Sequence, residues 1–253
     1  NEGGVMLGGQ FMRLERLIGS VNVEALAGKS VTVCGIGAVG GHALETITRC
    51  GIGHIRVVDF DRIEISNINR QILALHSTLG MLKTDAAVLR VKDINPDCAI
   101  ETLPLYISEE NLDEVLCASD IVLDCIDSLS AKVALLEGAY RRGIPIISSM
   151  GAALRRDSSL VQSADILDTY GCPLAREVRS RLRKRGVGRG IEAVFSPEKL
   201  RPGAAGEDES GERVLGSLPT VTAVFGIRMA ELALRRLLPE GTLRGEKEGK
   251  PRS

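Results

Sequence analysis

The sequence predicts an α/β fold, a Rossmann-like, doubly wound and mostly parallel sheet with additional C-terminal strands and helices. Short β-branched runs alternate with helical patterns from residue 30 to about residue 150, which is typical of strands covered by helices on both faces. Hydrophobic residues make up 44% of the 253 residues, enough for a sizeable core. Aromatic residues contribute only 3%, so aliphatic side chains must fill that core, as in buried parallel strands.

Each element of this region is predicted from its own pattern and from the breaks that bound it. Runs such as SVTVC and IVLDC read as buried strands, whereas apolar residues at helical spacing mark the segments between them. The predicted strands are 30–34, 54–59, 99–103, 121–125 and 145–149, and the predicted helices are 38–50, 83–94, 109–117 and 131–142. After residue 150 the pattern changes: 151–168 predicts further strands, for which an antiparallel direction stays open, and 173–184 and 221–238 predict helices.

A glycine-rich loop follows the first predicted strand. Gly35, Gly37 and Gly40 stand in the sequence GIGAVG and open the next helix. Such glycines let the backbone approach a phosphate, and the helix N-terminus supplies free N–H donors and a favourable dipole. Asp59, at the end of the second strand, is placed to accept hydrogen bonds from ribose hydroxyls. The motif predicts a bound nucleotide and leaves open whether that nucleotide is NAD or ATP.

The segment after the second strand favours ATP. The run DFDRIEISNINRQ, from residue 59 to residue 71, and the lysine at position 83 resemble the signature of the ubiquitin-activating-enzyme-like superfamily, whose members adenylate carboxylates. An arginine and a lysine that converge on phosphates neutralise charge and polarise the α-phosphate, and a dehydrogenase has no need of two such cations. The resemblance implies an ATP site formed by the glycine loop with Asp59, Asp61, Asn67, Arg70, Gln71 and Lys83.

Three positions complete the implied site. Asp127 follows the strand 121–125 and matches the superfamily's strand-end carboxylate that holds Mg²⁺ beside the phosphates, with Ser128 next to it. Arg16 precedes the first strand and matches an N-terminal arginine that reaches the ATP site, often from the second subunit of a dimer. The resemblance thus implies ATP and Mg²⁺ as cofactors, and Arg16, Arg70, Lys83 and Asp127 as catalytic residues.

The second half bears on which carboxylate is activated. Sulfur-carrier adenylyltransferases usually hold a structural zinc with two C-x-x-C pairs, and none of the six cysteines here forms such a pair. The segments 11–19 and 173–185, and the pair of segments 194–198 and 217–226, instead resemble the tRNA threonylcarbamoyladenosine dehydratase branch. That resemblance implies ATP-dependent cyclising dehydration of N6-threonylcarbamoyladenosine in tRNA, through an acyl adenylate of the threonine carboxylate. An adenylyltransferase for a ubiquitin-like or sulfur-carrier protein stays the alternative.

A cationic run supports tRNA as the partner. Residues 174–190 contain seven Arg or Lys and one acidic residue, in a chain whose net charge is −1. Facing RNA, such a stripe binds phosphates, although a solvated helix face is the simpler interpretation of a charge run. The residues expected to contact tRNA are Arg155, Arg156, Arg176, Arg179, Arg183 and Lys184.

The chain divides into four expected parts. Residues 1–29 form an N-terminal helical arm, 30–150 the ATP-binding domain, and 151–238 a part for substrate, tRNA and dimer contacts. Within the third part, 202–216 is polar and glycine-rich and is expected to be mobile, and the charged tail 239–253 is expected to be disordered. Without a signal peptide or a membrane-spanning run, we expect the protein to be cytoplasmic. The apolar helix 221–238 and an Arg16 that acts from a second subunit predict a homodimer, and a sulfur-relay protein is a further predicted partner.

Overall fold

The N-terminal residues pack as two short helices beneath the edge of a large sheet. The computed structural model describes residues 9–200, 205–207 and 213–243. Helix α1 spans Met12–Ile18 and α2 spans Ser20–Ala27, separated by Gly19 at φ +86°. Val23 and Leu26 of α2 are fully buried in the core, so the arm is part of the folded body.

The central sheet has seven strands in the order β3-β2-β1-β4-β5-β7-β6. Neighbouring strands are parallel except for β6, which runs antiparallel to β7. The parallel pairs β1–β2 and β1–β4 place the carboxyl ends of these strands at one edge of the sheet. The strands are β1 Ser30–Cys34, β2 His54–Val58, β3 Ala99–Leu103, β4 Ile121–Asp124, β5 Ile146–Ser149, β6 Gln162–Asp165 and β7 Glu192–Phe195.

Helices cover both faces of this sheet. One face carries α3 (Gly40–Arg49), α4 (Lys83–Ile94) and α8 (Pro219–Leu237), and the other carries α5 (Leu112–Leu116), α6 (Leu129–Arg141) and α7 (Pro173–Lys184). Strand side chains alternate between the two layers. In β4, Ile121 and Leu123 join one cluster and Val122 joins the other. Both faces of the sheet are therefore apolar. The side chains that cover them are mainly aliphatic, in agreement with the low aromatic content of the sequence.

Helix α8 approaches the start of α3 closely enough to need glycine at the contact. A Cβ on Gly226 would lie 2.3 Å from the carbonyl oxygen of Val39 and 2.8 Å from Cβ of His42. Any other residue would push the two helices apart. Since Val39 lies in the glycine-rich loop, the C-terminal helix directly supports that loop.

The predicted fold class is confirmed, and most element boundaries agree within two residues. The antiparallel strand expected in 151–168 is β6. Strands β6 and β7, which belong to the part 151–238, extend the sheet formed by β1 to β5. Within the loop expected to be mobile, Ala205–Glu207 (β8) and Arg213–Leu215 (β9) form an antiparallel pair. Residues 202–204 and 208–212 of that loop, and 244–253 of the expected tail, lie outside the described residues.

Two further observations concern the chain as a whole. Among the described residues, no helix is long and apolar enough to cross a membrane. The six cysteines are all free thiols. Burial raises the pKa of Cys34 and Cys125 well above the ordinary thiol value, which keeps both in the unreactive thiol form.

Candidate active site

The strand order reverses between β1 and β4, and this point opens a crevice. From β1 the chain continues outward to β2 and β3, whereas from β4 it continues to β5 on the other side. Ligands of open α/β sheets bind at the carboxyl ends of the strands at such a switch point. A cavity of about 820 Å³ lies there and is lined by the segments that follow β1 to β5.

The glycine loop forms the floor of this cavity. Gly35 has φ +79°, and a Cβ on Gly40 would lie 1.8 Å from the carbonyl oxygen of Gly35, so both positions require glycine. Helix α3 begins at Gly40 and no side chain caps it. The N–H of Gly41 donates to the carbonyl oxygen of Gly37 at 2.9 Å, and the neighbouring N–H groups at the helix start suit an anion. Gly37 faces Gln71, whose Nε2 lies 3.7 Å from the position of a Cβ on Gly37. The side chain of Gln71 therefore lies directly next to the glycine loop.

Asp59 holds the glycine loop from the end of β2. Its Oδ2 accepts the N–H of Ile36 at 2.8 Å and its Oδ1 accepts the N–H of Asp61 at 2.9 Å. Burial raises the pKa of Asp59, and the nearby charge of Lys83 opposes that rise. Each carboxylate oxygen has a second lone pair, so the side chain can still accept a ribose hydroxyl.

Lys83 begins α4 and reaches the same carboxylates. Its Nζ lies 2.6 Å from Oδ2 of Asp61 and 4.0 Å from Oδ1 of Asp59. The residue is only 5% exposed, and a buried ammonium requires such partners. The pair of acids therefore positions a cation in the wall of the cavity.

The segment between Asp61 and Lys83 supplies three more of the expected residues. Asn67 is buried, and its Oδ1 accepts the N–H of Glu64 at 3.2 Å, which fixes the turn. Arg70 is half-buried, and its Nη1 donates to the carbonyl oxygen of Ser66 at 2.8 Å. All three side chains line the cavity, Gln71 included. This turn thus presents one guanidinium and two amides to the crevice.

Asp127 lies just after β4, in the same cavity as the glycine loop. It is exposed and lines the cavity, and within the described part of the chain its carboxylate accepts no hydrogen bond. Mg²⁺ typically takes one or two carboxylates together with phosphate oxygens, so a single free carboxylate beside a phosphate loop fits this ion. No cluster of three His, Cys, Asp or Glu that could hold a metal occurs among the described residues, so these side chains build no metal cage there.

Two aromatic side chains that the sequence did not single out also line the cavity. Phe60 follows β2 and Tyr106 follows β3, with ring centroids 5.3 Å apart and planes at 73°. Tyr106 Oη and Ser128 Oγ share a hydrogen bond of 2.8 Å, and this bond lowers the pKa of Tyr106. Their position after strands, in a chain with few aromatics, was the available signal. They offer a flat apolar surface near Asp59.

A buried ion pair lies beneath the cavity and was also missed. Nζ of Lys132 lies 2.6 Å from Oδ2 of Asp124 and 2.9 Å from the carbonyl oxygen of Ser149, and all of Lys132 is inaccessible to solvent. Oδ1 of Asp124 accepts the N–H of Ile126 at 3.2 Å. The pair ties the end of β4 to the end of β5 and supports the turn that carries Asp127. A lysine within the apolar run of α6 was the signal for it.

Arg16 does not reach the cavity within this chain. It is exposed on α1 and is absent from the residues that line the cavity. The neighbouring Leu17 and Val21 are strongly exposed as well. The structure thus leaves an apolar surface beside Arg16 and no contact between Arg16 and the glycine loop.

The residues expected to bind tRNA fall into two groups. Arg156, Arg176, Arg183 and Lys184 are exposed. Arg179 instead turns inward, where its Nη1 donates to the carbonyl oxygen and to Oγ1 of Thr169 at 2.6 and 2.5 Å. Arg155, which we expected to extend the cationic surface, is 2% exposed and lines the cavity. Because Arg155 is buried within the segment after β5, it does not belong to the exposed cationic surface.

The chain is similar to known proteins over most of its length. A family model described as the ThiF family matches residues 10–250. The chain is 41% identical to a tRNA threonylcarbamoyladenosine dehydratase of Bacillus subtilis over 75% of each chain, and 31% identical to that of Escherichia coli over 93% of this chain and 96% of the relative. The Escherichia coli enzyme in complex with ATP superposes with a TM-score of 0.83 at 32% identity, over 90% of this chain and 93% of the other. The chain belongs to the ThiF family.

Proposed function

We propose that this protein catalyses the ATP-dependent cyclising dehydration of N6-threonylcarbamoyladenosine in tRNA. The observation that carries the proposal is the cavity at the switch point, which brings together a phosphate-binding glycine loop, buried Lys83 and the free carboxylate of Asp127. Such a set suits attack on a nucleotide phosphate. Relatives named for this dehydration, similar over most of their length, support the choice of acceptor.

ATP lies across the crevice in the proposed complex. Its ribose binds Asp59 and its base lies toward Phe60 and Tyr106. Its phosphates meet the N-terminus of α3, Lys83 and Arg70, whose positive charges offset that of the triphosphate. Asp61 positions Lys83 through its ion pair, Asn67 holds the turn that carries Arg70, and Gln71 lies beside the glycine loop. Mg²⁺, held by Asp127 and phosphate oxygens, would neutralise charge on the phosphates.

The reaction has two steps. A carboxylate oxygen of the threonyl group forms a bond to the α-phosphorus of ATP, and the bond to the bridging oxygen breaks, releasing pyrophosphate. An atom of the carbamoyl framework then attacks the acyl carbon, the acyl–oxygen bond breaks, AMP leaves, and one proton is lost. AMP retains a carboxylate oxygen, so the nucleoside loses the elements of one water. Ring closure is intramolecular, which accounts for its speed without an enzyme thiol.

Assembly and tRNA binding belong to the same proposal. Arg16 acts from the second subunit of a homodimer, where the apolar side chains of Leu17 and Val21 would be covered. The exposed cations Arg156, Arg176, Arg183 and Lys184 contact the tRNA backbone. We place the reaction in the cytoplasm, and a sulfur-relay protein remains a further predicted partner.

Mass analysis of tRNA nucleosides tests the proposal. Purified protein is incubated with ATP, Mg²⁺ and tRNA that carries threonylcarbamoyladenosine, and the nucleosides are then separated. We expect a product lighter by one water, formed together with AMP and pyrophosphate and dependent on ATP. Unchanged nucleosides with protein that binds ATP would overturn the proposal. Pyrophosphate exchange that depends on a carrier protein with a diglycine C-terminus would instead establish the adenylyltransferase alternative.

A further inference from the structure

Arg155 is a buried cation, and most of its N–H groups have no hydrogen-bond acceptor among the described residues. It follows β5, lines the cavity and is 2% exposed. Among the described residues, the N–H of Nε and both N–H groups of Nη1 have no hydrogen-bond partner. Nη2 makes one long bond, 3.4 Å, to the carbonyl oxygen of Gly171. A guanidinium stays charged at every physiological pH, and an unpaired buried charge costs free energy.

Glu198 is near enough to sense this charge and yet does not neutralise it. Its carboxylate accepts the backbone N–H of Arg156 at 2.9 Å and that of Asp157 at 3.1 Å. No ion pair joins Glu198 to Arg155 in the described part of the chain. The arginine is therefore suited to an anion from outside the protein.

The N-terminus of α7 adds a second positive group beside Arg155. The helix has twelve residues, and the side chain of its N-cap Cys172 makes no capping bond. Pro173 at the first position has no N–H, so the N–H groups of Leu174 and Ala175 are the ones left without acceptors. Cys172, Pro173 and Leu174 line the cavity. Gly171, which precedes the helix, accepts the single bond from Arg155. The guanidinium and the helix end therefore meet at one corner of the cavity.

This corner lies at the opposite side from the other cations. Of the cavity-lining cations within the described residues, Arg62, Arg70 and Lys83 all follow β2. Arg155 follows β5, on the far side of Asp127 in the strand order. The phosphates already have a glycine loop and cations on the β1–β2 side. The β5 corner is therefore free for the second anion of the reaction, which is the acceptor carboxylate.

We propose that Arg155 and the N-terminus of α7 bind the carboxylate that is adenylated, an inference that rests on the proposed function. Pairing with a guanidinium reduces the repulsion between this carboxylate and the α-phosphate while one oxygen stays available for attack. The long bond to Gly171 holds the side chain weakly, so a small rotation turns its unpaired N–H groups toward the acceptor. Adenylation removes the negative charge of the acceptor carboxylate. The interaction between the acceptor and Arg155 therefore weakens before the ring closes.

Binding measurements with Arg155→Gln test this assignment. The full protein, with a non-hydrolysable ATP analogue, is titrated with tRNA that carries threonylcarbamoyladenosine and with the same tRNA lacking the modification. The wild type should prefer the carboxylate-bearing tRNA by about 10- to 100-fold, the range of a charge-assisted hydrogen bond. Arg155→Gln should bind both equally and keep its affinity for the analogue. Arg155→Lys should recover part of the preference, and Arg49→Gln, at an exposed position on α3 outside the cavity, should keep all of it.

Each other source of the anion gives a different result. If Arg155 bound ATP phosphates, the affinity for the analogue would fall; if it bound tRNA phosphates, both tRNAs would bind more weakly by the same factor. A purely structural role would lower the Tm of Arg155→Gln, whereas loss of an unpaired buried charge should leave Tm unchanged or raise it. Any of these outcomes, or a variant that retains the preference, overturns the inference. Wild-type protein that dehydrates no tRNA would overturn the proposed function itself.

Discussion

Nζ of Lys83 lies 2.6 Å from Oδ2 of Asp61, and the lysine is nearly inaccessible while the acid is half-exposed. The side-chain nitrogen is therefore fixed in the wall of the cavity before a nucleotide arrives. A preformed cation needs no reorganisation when charge develops on a phosphate, which is the main advantage of a preorganised site. Asp61 and Lys83 both line the cavity, so the cation is already held where the proposed triphosphate would bind.

We expect Lys83→Met to abolish adenylation while leaving the protein folded. The substitution preserves most of the side-chain volume, but it removes the charge that offsets the phosphates. The rate of carboxylate-dependent pyrophosphate exchange should fall by about 10²- to 10³-fold, measured with labelled pyrophosphate. Lys92→Met, an exposed position on the same helix, is the matched control and should retain wild-type exchange. Comparable rates for the two variants would contradict the role of Lys83.

We expect Asp127→Asn to raise the Mg²⁺ concentration needed for activity. Its carboxylate accepts no hydrogen bond within the described chain, so the Tm of the free protein should stay the same. Loss of a metal ligand should lower activity at limiting Mg²⁺ by about 10²-fold. A Mg²⁺ titration of dehydration measures the effect, with Asp97→Asn as an exposed control. An unaltered Mg²⁺ requirement would remove Asp127 from the proposed metal site.

We expect the buried pair of Lys132 and Asp124 to be strongly coupled. Lys132→Met leaves the carboxylate of Asp124 buried without its cation, which typically costs about 3 to 5 kcal/mol. Urea unfolding of Lys132→Met, Asp124→Asn and the double variant gives the coupling free energy. The double variant should be more stable than Lys132→Met alone. Additive losses would show that the two side chains act independently.

We expect the exposed face of α7 to control the salt dependence of tRNA binding. A triple variant with alanine at Arg176, Arg183 and Lys184 should bind tRNA more weakly. Its slope of log affinity against log salt should be shallower by about one for each phosphate that is no longer neutralised. Affinity measured over a range of salt concentrations tests this, and Arg235→Ala on α8 serves as a distant control. Equal slopes for the triple variant and the wild type would leave α7 a solvated face.

The sequence was sufficient for the strands and for the glycine loop because their signals are local. Alternation with period two and glycines at fixed spacing determine backbone geometry over a few residues. The motif assigned both Asp61 and Lys83 to the predicted nucleotide site, but it did not predict the ion pair between them. The signals end where side-chain direction depends on distant packing.

The arginines show this limit. Arg179 belongs to the buried stripe of α7, since it lies four residues after Ala175 and three before Leu182, both fully buried. The helical period could therefore have separated it from Arg176 and Arg183. No such rule applies to Arg155, which follows Leu154 at φ +64° in an irregular loop. Its burial results from packing among β5, α7 and the segment around Glu198, which are far apart in sequence.

The strand order divides the work of the cavity between two halves of one sheet. The residues that would bind the nucleotide follow strands β1, β2, β3 and β4. The residues that would bind the acceptor carboxylate follow β5 or begin α7. Loops on the β5 side can therefore change length and charge without disturbing the glycine loop, which α8 supports through the close contact of Gly226 with Val39. Such a scaffold is modular. A different acceptor would require different residues on the β5 side of the cavity, while the residues that bind the phosphates would stay the same.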